Sequence, residues 1–527
     1  MEPHCIPYAA TGRFAPIVLD HLSGAERLRE HYRFTPDTAG LRQAAAERSF
    51  DPQHRATLVA ALEQQYAGME LPEALRSNLQ QLARPNALTV TTGHQLVLFG
   101  GPLYVPFKIL NVIRLARELS AELQRPVLPV FWMASEDHDR AEVDHTFFHG
   151  HKLHWPGSAA GPVGRMLLEG IGPVVEDAIA HLGAGTDAGR YAALLRECYR
   201  PTFTLAQATR RFVHALHGEQ GLIIVDGDAP ALKRLFVPVM REEVLNQVAQ
   251  RAVQYADQRL AAHYTVQAHA REINLFHLAP GHRRRIVPTT DGFQVLDGGP
   301  SFTVDSLLAA IETRPEDFSP NVLLRPVYQE TILPNIAYVG GGGELAYWFQ
   351  LRWLFQALQV PMPVVLLRTS AAFLSRKRLL QANASGLALE DLFGDTDALR
   401  ARIATANTTH RTELNAERAE LAAFYTRVLH ASVDADPTLK GAVEARHTAA
   451  DKGLLRLEKG LVRAAKRTQR TIIDRLDATL EELFPGGGLQ ERRENILPML
   501  VANGPSYLQH LEALLDPRAG LFTVLVD

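Results

Sequence analysis

Apolar residues recur along this chain in two periods, and the switches between them mark its elements. Residues 55–66 and 75–82 space them three and four apart, as one buried helical face requires. Residues 1–85 are therefore predicted to be mostly helical, until Pro85 and Asn86 break the pattern. A β-prone run follows at 87–91. A loop at 92–102 holds Gly93, Gly100, Gly101 and Pro102, and helical spacing returns over 105–119. Residues 127–134 are continuously apolar, as a parallel strand covered on both faces would be. Together these segments predict a βαβ unit.

The stretch 140–330 is mixed. It holds one more buried strand at 222–225, ending in Asp226, helical segments at 205–217 and 231–248, and β-like pieces at 282–288 and 292–296. A second βαβ unit then follows: strand 336–339, a glycine turn at 340–343, helix 345–358 and strand 360–367. The predicted fold is α/β, a Rossmann-like doubly wound parallel sheet. The core spans 1–390, with connecting insertions at about 140–220 and 230–320.

From about 390 to 484, Gly and Pro almost vanish. Leu414, Leu421, Tyr425 and Val428, then Leu454, Leu457, Leu461 and Ala464, follow seam spacing. Asp434, Asp436 and Pro437 interrupt the run at a hairpin tip. This predicts a long antiparallel α-helical coiled-coil arm over 391–484. Its second helix of roughly 45 residues would be ~65 Å long. Such an arm exposes apolar seam, so a homodimer is expected. Residues 485–527 are expected to return to the core.

Composition narrows the function classes. The 527 residues are 46% hydrophobic and 21% charged, which excludes a disordered chain. The balance of 55 basic against 58 acidic residues provides no field for nucleic acid. No apolar run approaches the ~20 residues that span a bilayer, so no membrane partner is expected. The first ten residues show no basic-then-apolar leader. Two cysteines, Cys5 and Cys198, exclude a disulfide framework and a four-cysteine zinc site, and a cytoplasmic location is expected.

Three features fall where strands end, the place ligands occupy in such a sheet. The first is Thr91-Thr92-Gly93-His94-Gln95. Gly93 permits close approach, His94 and Gln95 can donate to phosphate, and Lys108 can add charge one helical turn in. The alternative is a loop histidine satisfied by carbonyls. The second is Ser135-Glu136-Asp137-His138-Asp139. Three carboxylates this close repel unless a cation, a proton or a basic ligand joins them. They can hold an ammonium, bind Mg²⁺ or act as a base, or they form a solvated acidic loop. The third is Gly340-Gly341-Gly342-Gly343-Glu344, whose N–H groups can cradle an anion or form a plain tight turn. No Lys-Ser/Thr follows, so it is not a Walker A loop. Arg325, Gln329 and Asn335 lie near β-like segments and can face the same cleft. Arg283-Arg284-Arg285 reads as a solvated turn, Ser375-Arg376-Lys377-Arg378 as a solvated helix start or, less favoured, a group that reaches a triphosphate, and Cys198 as core.

Four motifs carry a resemblance: 91–104 (Thr91 to Tyr104, with Lys108 beyond), 131–139 (Phe131 to Asp139), 324–334 (Leu324 to Pro334) and 337–348 (Ala337 to Trp348). In this order they resemble the cysteine-adding enzyme family of bacillithiol biosynthesis, along the whole chain. The resemblance implies a core related to class I aminoacyl-tRNA synthetases and nucleotidylyltransferases, with a coiled coil that pairs subunits. It implies a ligase that joins cysteine by an amide to the glucosamine nitrogen of glucosaminyl malate. ATP would be the activating substrate, bound as ATP, ADP or AMP, with Mg²⁺ possible and any other metal unknown. Activation as cysteinyl adenylate is the natural route. His94 and Gln95 would then contact phosphate, with Gly93, Tyr104 and Lys108 beside them. Gly340–Gly343 and Glu344 would hold nucleotide, and Glu136, Asp137 and Asp139 would hold or deprotonate the amine, with His138 as the alternative base. The synthetase His-x-Gly-His signature is not complete, because position 91 is Thr91. The competing readings are a nucleotide- or sugar-phosphate-binding module and a nucleotidyltransferase acting on another small acid.

Overall fold

Five parallel strands form the central sheet: β1 (Leu88–His94), β2 (Val127–Met133), β3 (Ile223–Asp226), β4 (Asn335–Gly340) and β5 (Val364–Leu367). These elements come from a computed structural model that describes residues 1–406 and 413–527. The strand order is β5-β4-β1-β2-β3. The chain lays β1, β2 and β3 outward in one direction, then returns to place β4 and β5 on the other side. The reversal falls between β1 and β4, and a crevice opens at their carboxyl ends. Register runs straight across: Val365, Tyr338, Thr91, Val130 and Ile223 stand side by side. Apart from the end residues His94 and Asp226, the five strands are buried throughout, which is why β2 and β5 read as unbroken apolar runs.

Helix α1 (Tyr104–Leu123) crosses from β1 to β2 and packs on both. Its buried face includes Phe107, Leu110, Leu115 and Leu119, all fully covered. The loop before it needs glycine at position 100. There φ is +84°, and an added Cβ would sit 2.8 Å from the Phe212 ring.

Several elements differ from the sequence reading. The first core strand continues through Thr92, Gly93 and His94, because these residues pair with Phe131, Trp132 and Met133 of β2. Helix 345–358 is two helices, α2 (Gly342–Trp348) and Arg352–Ala357. The break falls where buried Gln350 turns its amide to the 268 backbone (3.0 and 2.7 Å) and to Asp257 (2.6 Å). The mostly helical amino-terminal region begins with a strand, Glu2–Pro7, antiparallel to Leu521–Val526, which also pairs in parallel with Ala371–Leu374. The insertion before β4 holds a five-stranded antiparallel sheet, ordered 301–302, 292–295, 282–289, 275–279 and 318–320. The three arginines at 283–285 therefore lie in a strand and not in a solvated turn. Cys198 is buried, as read.

The arm is a helical hairpin of α3 (Asn415–Ala435) and α4 (Lys440–Leu483). Asp436 caps the tip by accepting from the Thr438 amide at 2.9 Å. Arg418 and Asp451 bond across the pair at 2.7 and 3.0 Å, and Tyr425 stacks on His447 at 5.1 Å. Residues 407–412, inside the stretch read as the arm, lie outside the described residues. The last turns of α4 dock on the core: Leu476 and Leu483 are buried, and Glu482 accepts from the Ser375 amide at 2.6 Å. Beyond α4, buried Glu491 makes a two-pronged ion pair with Arg368 (2.8 and 2.7 Å). Among the described residues no helix is long and apolar enough to cross a membrane.

Candidate functional site

The crevice between β1 and β4 widens into a cavity of ≈ 750 Å³. Gly93 and His94 form its floor at the end of β1, and Tyr104 and Lys108 reach it from α1. Glu136 and Asp137 border it after β2, and Tyr338, Gly341, Gly342 and Gly343 after β4. The facing wall comes from elsewhere in the chain: Arg271, Arg283 and Arg285 from the insertion, Arg368 after β5, and Arg492 beyond the arm.

At the end of β1, the Tyr104 hydroxyl lies 3.2 Å from His94 Nε2, with the rings edge to face. Burial, reinforced by the nearby Lys108 charge, depresses the His94 imidazole to about 3, so the ring is neutral at physiological pH. Burial likewise pushes the Tyr104 phenol up to about 12, which leaves it a hydrogen-bond donor. Lys108 is almost fully buried, donates to the Gly93 carbonyl at 3.0 Å and pairs with Glu344. Burial alone would raise the Glu344 carboxyl. The Lys108 charge and bonds from Lys108, Tyr338 and Gly341 outweigh it and bring the group to about 2. The Gly341 amide donates to this same carboxylate at 2.8 Å. The glycine run therefore differs from the open anion cradle expected of it, since one of its amides is already taken. None of Gly340–Gly343 has positive φ. Their value lies in access: nothing stands within 4 Å of where a Cβ on Gly343 would be.

The acidic tip after β2 is neutralised internally. Glu136 pairs with Lys233 at 2.7 Å, and the same ammonium lies 3.0 Å from Asp228. Burial pushes the Glu136 carboxyl up and Lys233 pulls against it. Asp137 accepts from Gln95 at 2.7 Å and from the His138 amide at 2.7 Å, and Arg283 stands 3.9 Å away. Burial works against ionisation of Asp137, but these bonds and the Arg283 charge hold the carboxyl well below the usual range. The two carboxylates at the cavity edge are thus already supplied with cations by this chain.

Of the residues singled out by sequence, Gly93, His94, Gln95, Tyr104, Lys108, Glu136, Asp137, Arg325, Gly341, Gly342, Gly343 and Glu344 border the one cavity. Five do not. His138 turns to Arg283 at 3.0 Å, and Asp139 is exposed. Gly340 is buried within β4, where its carbonyl accepts from the Arg368 amide at 2.8 Å. Gln329 is buried, bonding Arg325 at 3.1 Å and Glu330 at 2.8 Å. Asn335 opens β4 and lies at the amino end of the sheet, accepting from Thr91 at 2.9 Å. A parallel strand presents only its carboxyl end to the crevice, so Asn335 belongs to the sheet's underside. The 375–378 cluster starts helix Arg376–Ala384 and does not border the cavity.

The arginine wall was not foreseen. Arg283 and Arg285 share one side of their strand because side chains alternate with period two. That signal was present, but only the folded sheet brings it opposite β1. In total seven lysine or arginine side chains border the cavity against three carboxylates, Glu136, Asp137 and Glu344. Among the described residues, the side chains of Arg271, Arg285 and Arg492 have no ion-pair partner. Among the same residues, His151, Asp177 and His181 form the group spaced closely enough to share a metal ion, and none borders the cavity.

Two family models match the chain. Residues 1–369 match "Bacillithiol biosynthesis BshC, N-terminal Rossmann-like domain", and 371–526 match "Bacillithiol biosynthesis BshC, C-terminal coiled-coil domain". The chain is similar to a protein of Flavobacterium johnsoniae named "Putative cysteine ligase BshC", 36% identical over 100% of both chains. A protein of the same name from Cytophaga hutchinsonii is 34% identical over 96% of this chain and 95% of its own. One from Salinibacter ruber is 30% identical over 96% and 95%.

Proposed function

The chain belongs to the BshC family of bacillithiol biosynthesis, and from that premise we propose that it is an ATP-dependent cysteine ligase. Its acceptor is the glucosamine nitrogen of glucosaminyl malate. The observation that carries this reading is the charge distribution of one cavity, in which an arginine-rich wall faces two anchored carboxylates. A chain of net charge −3 concentrates cations where a triphosphate and an acid must meet. The unpaired guanidiniums of Arg271, Arg285 and Arg492 suit phosphate and carboxylate oxygens. Glu136 and Asp137 suit an amine.

A carboxylate does not form an amide without activation. Cysteine's carboxylate oxygen attacks the α-phosphate of ATP and pyrophosphate leaves. The sugar amine then attacks the carbonyl of the cysteinyl adenylate and AMP leaves. The acceptor enters as the neutral amine; the one proton it sheds as the C–N bond forms passes to Glu136, with Asp137 orienting the incoming amine by accepting from an N–H. Tyr104 and neutral His94 spend one of their two hydrogens on the bond between them, so the pair supplies one donor beside the phosphate, where fixed dipoles stabilise developing charge. Glu136 and Asp137 already have internal partners, so Mg²⁺, which keeps several waters, would ride on the nucleotide phosphates.

We place a second copy of the chain against the arm, where Phe424, Leu457 and Leu461 are exposed. A reducing cytosol suits Cys5 and Cys198, both free thiols. The test of the activity is to incubate the protein with cysteine, ATP, Mg²⁺ and glucosaminyl malate and to weigh the products. Amide product and AMP should appear in equal amounts. Absence of the amide refutes the ligase, and ADP in place of AMP refutes the adenylate.

A further inference from the structure

Beneath the acidic edge of the cavity, Glu136 is clustered with Lys233, Asp228 and Arg165, three charged groups that the reaction above does not use. Lys233, in the first turn of helix Pro230–Asn246, is 2% exposed. Its Nζ is 2.7 Å from Glu136 Oε1 and 3.0 Å from Asp228 Oδ1, and it donates to the Phe318 carbonyl at 2.8 Å. Arg165 grips both oxygens of Asp228 through two bonds of 2.6 and 2.7 Å. One ammonium thus ties the exit of β2, the exit of β3, a helix and the strand Phe318–Pro320 of the insertion sheet. The neighbouring backbone is pinned as well: the Tyr328 hydroxyl donates to the Gly227 carbonyl at 2.5 Å, and Trp132 packs edge to face on Tyr328.

A buried lysine with this set of partners is costly unless its charge is matched, and here two carboxylates and a carbonyl match it. Glu136 Oε1 is fully enclosed, so the rest of its carboxylate is what meets the cavity. We propose that Lys233 is a positioning residue for amide formation: it fixes the direction of the Glu136 carboxylate and keeps it ionised until the acceptor amine delivers its proton. This rests on the ligase reading.

The charges facing Glu136 fix the sign of the test. They are Lys233 from its helix, Asp228 from the β3 exit, Arg283 from the insertion sheet and Arg165 from the turn Val163–Arg165. The Tyr328 hydroxyl, from helix Arg325–Ile332, faces it as well. Removing Lys233 leaves Glu136 beside Asp228 with its nearest cation gone, which favours the protonated acid. Removing the charge of Asp228 does the opposite, because Lys233 then serves Glu136 alone.

The experiment is the pH profile of amide formation by full-length Lys233→Met, Lys233→Arg, Asp228→Asn and Glu136→Gln. For Lys233→Met the acid limb should move up by about one unit, so that kcat on that limb falls about tenfold at a given pH and recovers as pH rises. The KM for ATP should stay within about twofold. Lys233→Arg should restore most of kcat and the original limb. Asp228→Asn should move the limb down, a direction that loss of structure does not produce, and it decides the matter if Lys233→Met does not fold. Unmoved limbs in Lys233→Met and Asp228→Asn overturn the role of Lys233, as does an arginine variant as impaired as the methionine one. If Glu136→Gln is as active as the wild type, the failure lies with the assignment of Glu136 in the ligase reading.

Discussion

At the scale of single residues, burial decides which groups are charged. His94 faces the cavity as a neutral ring, and His217, enclosed 3.0 Å from Gln220, is held neutral by the same cause at about 4. The sign for stability follows. In the unfolded chain His217 titrates near 6.5, so below that pH the unfolded state takes up a proton that the folded state refuses. The contribution is intact above pH 6.5 and is lost as pH falls toward 4, at up to about 1.4 kcal/mol per pH unit. The stability gap between wild type and His217→Gln should therefore shrink on going from pH 7.5 to pH 5 in urea unfolding. A gap that stays constant contradicts a buried neutral imidazole. The sequence showed which residues could do chemistry, because Glu136 and Asp137 crowd one another without an obvious cation. It could not show that cation, because Lys233 lies far along the chain and meets Glu136 only through the β2–β3 pairing. Glu344 illustrates the same limit, since Lys108 reaches it from another helix.

At the scale of elements, strand ends were the most legible feature. Continuous apolar runs marked β2 and β5, and Gln95, Glu136, Asp137 and Glu344, which follow β1, β2 and β4, do border the crevice, while His138 and Asp139 do not. Misreadings arose where tertiary contacts override local pattern. Strand Glu2–Pro7 contains two prolines and is largely exposed, so it lacks a strand's usual signal and exists because Leu521–Val526 pairs with it. The arm was legible from seam spacing, as was its tip at Asp436. The arm also gives an element-scale prediction. Leu457 and Leu461, 62% and 41% exposed, lie on the outer part of α4. Leu457→Glu with Leu461→Glu should convert a dimer to a folded monomer in sedimentation velocity. These changes spare Leu476 and Leu483, which the core needs. A dimer that persists contradicts the arm as the pairing surface.

For the whole molecule, topology gathers charge that the sequence scatters. A net of −3 gives no hint of a cationic cavity, because its arginines come from the insertion, the β5 exit and the segment beyond the arm. Arg283 and Arg285 read as a solvated turn until the fold set them at the cavity that Arg271, Arg368 and Arg492 also border. Raising salt from 0.1 to 1 M cuts the screening length from ~10 to ~3 Å. The dissociation constant for ATP should then rise several-fold in calorimetry, and a constant value contradicts an electrostatic cradle. In the proposed reaction this cavity activates the carboxylate of cysteine on the α-phosphate. The most direct test is the exchange of labelled pyrophosphate into ATP with cysteine present and the sugar left out. Exchange should require cysteine and stop when cysteine is replaced by cysteamine, which lacks the carboxylate. Amide synthesis from complete reactants without any such exchange would contradict that reaction.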